Sequence, residues 1–332
     1  MAPSQSRAGT RSFYVGFDLG GTKMLAGLYD SKLKLISTAR RKTRAKAGEP
    51  SGTDRMIQLI RDLLKSKRVP VARLRGIGIG CPGPLDMRRG VIIEAPNLGW
   101  KNLPLRRRLE KAFRCPVHVI NDVDAGTYGE YFRGAARKAR CVVGVFPGTG
   151  VGGSAIYQGR LIHGRSASCM EIGHLTIEPG GRLCGCGRRG CLETIASRLA
   201  ISAEAASAVY RGEAPKLKAL AGTDLAAIRS GVLKQAIERG DKTIEKIVRR
   251  AGVRLGLAVA QMVNLMAPDV VVMGGGLVEA LEAYLLPECR RAAEGQVMDS
   301  FRGSFRVVAA RLGDHAVITG AAALAADPEA IS

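Results

Sequence analysis

One histidine and three cysteines lie close together in the sequence and could bind a metal ion. In the stretch HLTIEPGGRLCGCGRRGCLE they are His174, Cys184, Cys186 and Cys191. Structural zinc sites take four cysteine or histidine ligands, and three cysteines with one histidine are a common set. The single residue between Cys184 and Cys186 is a tighter spacing than zinc fingers use. Because glutamates flank the stretch at Glu171 and Glu193, we expect the metal to support a neighbouring binding site. The alternative is a glycine-rich turn whose cysteines bind nothing.

A glycine turn near the amino terminus could hold a phosphate group and a cation. It reads DLGGTK, residues 18–23. The backbone N–H groups of Gly20, Gly21 and Thr22 can converge on a phosphate, and the Thr22 hydroxyl adds a donor. Asp18 is placed to hold Mg²⁺, directly or through water, because hard cations prefer carboxylate oxygens. The order Gly-Thr-Lys, followed by an expected strand, excludes a Walker A loop. A plain hairpin turn is the alternative.

Two further glycine clusters, at 148–153 and 274–276, are candidate ligand-binding turns. The first matches the dinucleotide pattern GxGxxG by its letters, as does 78–83, but that fingerprint requires a helix directly afterwards. A strand is expected after the first match, and prolines prevent a helix at the other. A phosphate-holding turn between two strands remains for the first cluster, and close approach to a nucleoside or a structural turn for the second. The residues concerned are Gly148, Thr149, Gly150, Gly274, Gly275 and Gly276.

Asp122 is the candidate general base. It follows an expected strand, PVHVI, directly after Asn121 and close to Asp124. Phosphoryl transfer to an alcohol needs a carboxylate that accepts the hydroxyl proton while a metal and backbone donors neutralise the phosphates. An Asn-Asp pair is also typical of a helix amino terminus, where it caps backbone N–H groups. The position between two phosphate turns favours the catalytic interpretation.

Strands and helices alternate along the chain, which predicts an α/β fold. A β-meander with a glycine turn occurs twice, at 13–38 and 141–163, so we expect two related domains that face a cleft. The clearest helical period runs over 243–266. The other expected helices lie at 52–68, 106–113, 122–133, 194–240 and 314–326, and the other expected strands at 74–80, 116–120, 270–273 and 305–309.

The composition excludes several classes of protein. No apolar stretch approaches the ~20 residues that a membrane span needs. The first twelve residues lack the apolar core of a signal peptide and are expected to be a disordered lead. Eight cysteines in 332 residues are too sparse for a disulfide framework, so a cytoplasmic location is expected. The net charge of +22 could favour polyanions, but no nucleic-acid-binding motif accompanies it, so we expect no specific nucleic-acid partner.

Taken together, these segments resemble the ROK family of repressors, open reading frames and sugar kinases, within the actin-like ATPase superfamily. The likeness covers about residues 13–326. The turns at 17–23 and 148–153 are similar to the family's two phosphate loops, and 81–86 with 97–100 to the segment that lines its sugar cleft. Asn121 and Asp122 align with its sugar-binding asparagine and catalytic aspartate. The segment from Glu171 to Glu193 resembles its zinc-binding signature.

The resemblance implies two actin-like, ribonuclease H-like domains and a hexokinase-type reaction. ATP and Mg²⁺ would bind at 18–23, which includes Lys23, and at 148–153 and 274–276. Asp122 would deprotonate the attacking hydroxyl, usually the 6-OH of a hexose. The zinc would be structural and would orient the loop that bears two of the sugar ligands. The sugar would be held by Asn97, Asn121, Asp122, Glu171, His174 and Glu193.

The expected domain limits follow the same resemblance. Residues 13–120, joined by a carboxyl-terminal helix at 314–328, would form a small domain. Residues 121–313, with the zinc loop at 174–193, would form a larger one. A homodimer is the expected assembly.

Two departures from the family pattern leave the sugar open. Asp124 stands where the family commonly has asparagine, and Met170 where it commonly has glycine. Glucose is the first expectation, with fructose, mannose, allose or an N-acetylhexosamine as alternatives. Other interpretations are a sugar-responsive transcriptional regulator, a polyphosphate-dependent glucokinase, and a non-catalytic sugar sensor. The regulators carry an amino-terminal helix-turn-helix, which the short lead before the first strand does not supply.

Overall fold

The computed structural model describes residues 12–43, 49–95, 98–164 and 169–331. The strands in these ranges are β1 (Phe13–Leu19), β2 (Lys23–Asp30), β3 (Leu35–Lys42), β4 (Leu74–Cys81), β5 (Leu85–Asp86), β6 (Val91–Ala95), β7 (Trp100–Leu103), β8 (Val117–Asn121), β9 (Cys141–Pro147), β10 (Val151–Tyr157), β11 (Arg160–Leu161), β12 (Val270–Met273) and β13 (Arg306–Ala309).

The α-helices of the same ranges are α1 (Glu49–Ser66), α2 (Leu105–Phe113), α3 (Asp122–Arg133), α4 (Glu193–Ala196), α5 (Arg198–Tyr210), α6 (Pro215–Ala221), α7 (Ser230–Glu238), α8 (Lys242–Met266), α9 (Gly276–Glu294) and α10 (Ala316–Ala326). None of the helices that the structure describes combines the length and apolarity that a membrane crossing needs. The α/β class predicted from the alternation is confirmed.

The chain divides into two compact units. The first comprises Met1–Phe132, His163–Ser168 and Asp314–Ser332, and the second Arg133–Ile162 and Cys169–Gly313. Residues 121–132, which we expected in the second domain, therefore lie in the first unit together with α10. The reason is that β8 pairs with β4 and leads directly into α3.

The first unit is built on a five-stranded sheet in the order β3-β2-β1-β4-β8. The first three strands form an antiparallel meander, as the sequence predicted. Strands β4 and β8 then continue the sheet parallel to β1. A small separate sheet contains β5, β6 and β7. The carboxyl ends of β1, β4 and β8 consequently meet at one edge.

The second unit repeats this layout. Its sheet has the order β11-β10-β9-β12-β13, again an antiparallel meander followed by two strands parallel to the first. The predicted repetition of the meander is therefore confirmed, and it extends to the whole sheet. Helices α4 to α9 belong to this unit.

The longest helix of the described residues, α8, packs along α9. The Asp241 carboxylate caps its amino terminus by accepting a hydrogen bond from the Ile244 N–H at 3.3 Å. We predicted only a glycine loop after β12, and this was wrong, because α9 begins at Gly276. Gly275, at φ +86°, turns the chain into the helix, a conformation that glycine adopts without strain.

Helix α10 lies unusually close to the sheet of the first unit because glycines face it. A Cβ on Gly16 would overlap the Ile318 carbonyl oxygen, and one on Gly78 the Ala321 carbonyl oxygen. The helix is predominantly alanine and buries nine of its eleven residues. The Tyr29 hydroxyl lies 3.0 Å from the Thr319 hydroxyl within this contact. The backbone of α10 therefore packs directly against the backbone of the sheet.

We expect Gly78→Ala to destabilise the protein by at least about 1–3 kcal/mol, because the added methyl group meets a helix backbone that cannot yield. Gly76→Ala, on the same strand, is the matched comparison: its Cβ would lie 3.1 Å from the Ala325 carbonyl oxygen, a tight contact that a small shift relieves, so it should destabilise the protein less. Urea unfolding followed by circular dichroism measures both. A wild-type unfolding midpoint for Gly78→Ala would contradict the packing described.

Candidate active site

Two predicted carboxylates lie at the carboxyl ends of parallel strands in the first unit. Asp18 is the penultimate residue of β1 and pairs in register with Gly80 of β4, which pairs with Ile120 of β8. Asp122 follows two residues after Ile120, at the first position of α3. Ligands of α/β sheets bind at the carboxyl ends of the strands. The register thus brings the predicted Mg²⁺ ligand and the predicted base to one edge.

Asn121 is the cap of α3. Its Oδ1 accepts hydrogen bonds from the backbone N–H groups of Val123 at 2.8 Å and Asp124 at 3.3 Å. The capping interpretation of the Asn-Asp pair is therefore right for Asn121. The same bonds fix the amide orientation, so that Nδ2, with no acceptor among the described residues, is the group that can serve a ligand.

Burial and neighbouring negative charges raise the pKa of both carboxylates. Burial, followed by the charge of Asp122, raises the pKa of Asp18 to about 7, although Lys23 opposes the shift. Burial also raises the pKa of Asp122, and Asp124 adds to it. Burial raises the pKa of the Cys81 thiol well above its ordinary value, and the charges of Asp122 and Asp18 add to the shift. A divalent cation at Asp18 would relieve this repulsion, so the residues fit the predicted Mg²⁺ site.

The first glycine turn is partly committed to its own structure. The Gly20 N–H donates to the Lys23 carbonyl at 3.0 Å, and Thr43 bonds the carbonyls of Gly20 and Thr22. We expected three converging N–H donors, but only those of Gly21 and Thr22 lack a backbone acceptor in the described part of the chain. The turn can therefore present two backbone donors.

Lys23 is held by a partner that the sequence did not suggest. Its ammonium lies 2.5 Å from a carboxylate oxygen of Asp314, which Arg40 also contacts at 2.7 Å. Asp314 belongs to a 3₁₀ turn, Gly313–His315, just before α10. Lys23 lowers the pKa of Asp314, with a further contribution from Arg40.

The second glycine turn joins β9 to β10 and lies against Glu193. The Gly148 N–H donates to the Gly150 carbonyl at 2.8 Å. Glu193 Oε2 accepts from the Val151 N–H at 3.2 Å, and a Cβ on Gly150 would overlap that oxygen. The Arg198 guanidinium reaches the Thr149 hydroxyl at 3.4 Å. A side chain at position 150 would therefore displace the Glu193 carboxylate from this contact, whereas the backbone conformation does not itself call for glycine.

The histidine and three cysteines form a compact group. The ligand atoms of His174, Cys184, Cys186 and Cys191 all lie within 4.8 Å of one another. Cys184 Sγ is 3.6 Å from His174 Nδ1, and Cys186 Sγ is 3.7 Å from Cys191 Sγ. A zinc tetrahedron with the usual bond lengths has S···N and S···S edges of about 3.6 and 3.8 Å. The four residues therefore fit a tetrahedral zinc ion.

Glu193 also borders this cysteine group. Its Oε1 lies 4.0 Å from Cys184 Sγ, while its Oε2 is bonded to the second glycine turn. One carboxylate thus links the metal-binding group to the turn. Glu171 directly precedes the 3₁₀ helix Ile172–His174 and is exposed. Its carbonyl accepts the His174 N–H at 3.0 Å.

The remaining predicted site residues are Asn97 and the triple glycine at 274–276. Asn97 lies outside the described residues. Of the triple glycine, Gly274 donates its N–H to the Val145 carbonyl at 3.1 Å, Gly275 precedes α9, and Gly276 is its first residue. The cluster therefore leads into a helix amino terminus, whose N–H groups favour anions.

Comparison with known proteins identifies a family. The sequence model of the ROK family matches residues 14–328. The glucokinase of Thermotoga maritima is 33% identical over 311 residues, covering 93% of this chain and 96% of that protein. The DNA-binding transcriptional repressor Mlc of Escherichia coli is 30% identical, covering 93% of this chain and 74% of the repressor.

A solved structure gives the same result. The ROK family glucokinase of Streptomyces griseus, crystallised with glucose and AMPPNP, superposes with a TM-score of 0.80 at 30% identity. The superposition covers 95% of this chain and 99% of that one. The actin-like ATPase fold is therefore confirmed for the chain.

We expect iodoacetamide to alkylate Cys186 first in metal-free protein at neutral pH. Cys186 is exposed, and the backbone N–H and guanidinium of Arg188 lower its pKa to about 6. Cys289 is buried and burial raises its pKa to about 12, so it should react last. Mass spectrometry of tryptic peptides measures the order.

Stoichiometric Zn²⁺ should protect Cys186 from the reagent, because a bound thiolate is no longer a free nucleophile. Cys169, outside the group, is the internal control and should react at an unchanged rate. Equal reactivity of Cys186 with and without Zn²⁺ would contradict the metal site.

Proposed function

Because this chain belongs to the ROK family, we propose that it is an ATP-dependent hexose kinase that converts glucose to glucose 6-phosphate. The proposal draws on relatives named glucokinase that align along nearly their whole length. One observation carries it above all. Asp18 and Asp122 stand together at the carboxyl edge of the parallel strands, and the pKa of each is raised.

Asp122 is the general base of the proposed reaction. Its carboxylate accepts the proton of the attacking sugar hydroxyl as the oxygen bonds to the γ-phosphorus and the bond to ADP breaks. A raised pKa makes the carboxylate a stronger base, which matches the task. Asn121, fixed by its capping bonds, offers Nδ2 as a donor to a neighbouring hydroxyl of the sugar.

ATP is the proposed phosphoryl donor. The turns around Gly21, Thr149 and Gly275 supply backbone donors for its phosphates, and Lys23 supplies a positive charge that Asp314 orients. Asp18 would hold Mg²⁺, which neutralises phosphate charge during transfer. The polyphosphate alternative rests on the net charge of +22; the phosphate turns would serve either donor, so the choice of ATP rests on the relatives named glucokinase and on the structure solved with AMPPNP.

Zinc is the proposed structural metal. His174, through Nδ1, would ligate it with the three cysteines, which leaves Nε2 of the same ring for the sugar. Glu171 and Glu193 flank the metal and would accept hydrogen bonds from sugar hydroxyls, with Asn97 as a further ligand. We also propose that the protein is a cytoplasmic homodimer.

A coupled ADP-release assay across sugars and donors tests the assignment. We expect the highest kcat/KM for glucose with ATP and Mg²⁺, with lower values for fructose, mannose, allose and N-acetylhexosamines, and little turnover with polyphosphate. Absence of ADP release with every sugar would overturn the kinase assignment and favour a sugar-binding regulator. Faster turnover with polyphosphate would overturn the choice of donor.

Asp122→Asn should lower kcat by about 10²–10⁴-fold, because the hydroxyl proton loses its acceptor. The KM for the sugar should change little, since the amide keeps the shape of the site. Asp299→Asn, at a carboxylate with a side chain that is 88% exposed, is the matched control. In the wild type, kcat/KM should fall as the pH drops through the raised pKa of Asp122, above the ordinary 3.8, because protonation removes the base.

A further inference from the structure

His163 faces hydrogen-bond acceptors with both of its ring nitrogens. Nδ1 lies 2.9 Å from the backbone carbonyl oxygen of Ile331. Nε2 lies 3.6 Å from a carboxylate oxygen of Asp124. A carbonyl and an ionised carboxylate can only accept. The neutral ring carries one N–H, so the imidazolium is the one form that satisfies both contacts.

The contact between the His163 ring and the Asp124 carboxylate is largely removed from water. The side chains of His163 and Asp124 are 14% and 13% exposed, and the Nε2 atom itself is buried, with no hydrogen-bond partner within ordinary distance among the described residues. A neutral ring would leave a buried lone pair facing a carboxylate, which is unfavourable. Burial and charge together therefore favour a protonated ring.

Asp124 ties this contact to the proposed base. It stands in the first turn of α3, two residues after Asp122, and its charge acts on the Asp122 carboxyl. Ile331 closes the 3₁₀ helix Pro328–Ile331, which follows α10. The imidazole thus connects the turn that bears the base to the segment after α10.

The surrounding elements carry few other charges. They are Asp122, Asp124, Glu130 and Arg133 on α3, and Asp327 and Glu329 near the 3₁₀ helix. Of these, the Asp124 carboxylate is the group in contact with the imidazole.

We propose that His163, as an imidazolium, is a positioning residue for the reaction: it holds the first turn of α3 and neutralises the charge of Asp124 beside the catalytic base. The role as a positioning residue rests on the proposed function of Asp122, whereas the ion pair itself does not. Burial alone lowers the pKa of His163, but Asp124 and the Ile331 carbonyl outweigh it and raise that pKa above the ordinary 6.5.

Replacing His163 and replacing Asp124 should move the acid limb of the kcat/KM profile in opposite directions. His163→Gln leaves Asp124 uncompensated, which raises the pKa of Asp122 and moves the acid limb of kcat/KM to higher pH. Asp124→Asn removes the negative charge and moves the limb to lower pH. Near the midpoint, each change should alter kcat/KM, relative to the variant's own plateau, by roughly three- to tenfold. The double variant, which removes both charges together, should keep its limb near that of the wild type.

Profiles of kcat/KM against pH, measured for the wild type, the two single variants and the double variant, test these shifts of the acid limb. Asp327→Asn, which removes an exposed carboxylate from the same region, is the matched control and should keep the wild-type limb. A merely structural role would lower the plateaus without moving the limb. Shifts in the same direction, or none, would overturn the proposal.

Proton NMR titration of the histidine ring gives a readout that needs no activity. The chain has four histidines, so comparison with His163→Gln assigns the resonance. We expect the His163 midpoint above 6.5 in the wild type and lower in Asp124→Asn. A midpoint unaffected by Asp124→Asn would overturn the ion pair. If the His163 midpoint falls in Asp124→Asn as expected but the protein has no kinase activity, the ion pair stands and the proposed function does not.

Discussion

The repulsion between two carboxylates held out of water is the constraint on which the site depends. Asp18 and Asp122 are brought together by strands that must pair in register, so neither can move away without breaking the sheet. Proteins accept such an arrangement where function requires it, because the charged forms are destabilised. Groups that can offset this charge lie close by: a lysine and a proposed cation site near Asp18, and a histidine contact at Asp124.

The two units show one framework used for two kinds of chemistry. Each sheet begins with a meander whose first hairpin is a glycine turn, and each continues with two parallel strands. In the first unit, carboxylates stand at the strand ends. In the second, the corresponding turn lies against Glu193, which borders the cysteine group. One side chain therefore borders both the cysteine group and the turn.

Much of this could be predicted from the sequence, because it depends on local patterns. Alternation and helical period gave most strands and helices, and four soft ligands in a short glycine-rich stretch predicted a group that the folded chain does assemble. The rest depended on contacts between distant residues. Nothing near Lys23 suggested Asp314, and nothing near Asp124 suggested His163 or Ile331. The commitment of the Gly20 N–H to its own turn follows from backbone geometry, which letters do not show. Helix α9 was missed because it directly follows Gly274 and Gly275 and is interrupted by Pro287 and by a non-helical residue, Leu281.

The contact between α10 and the first sheet has a consequence for how the chain is made. Strands β1, β2, β4 and β8 are synthesised early, but the helix that covers their glycines comes from residues 316–326. Until the ribosome has released that segment, Leu25 and Tyr29 lack the partners Ile318 and Ala322 that bury them. The second unit, whose residues are nearly continuous in the chain, can complete its core earlier. The unit that begins first is therefore the last to finish, and its nascent apolar face is the one that needs protection from aggregation.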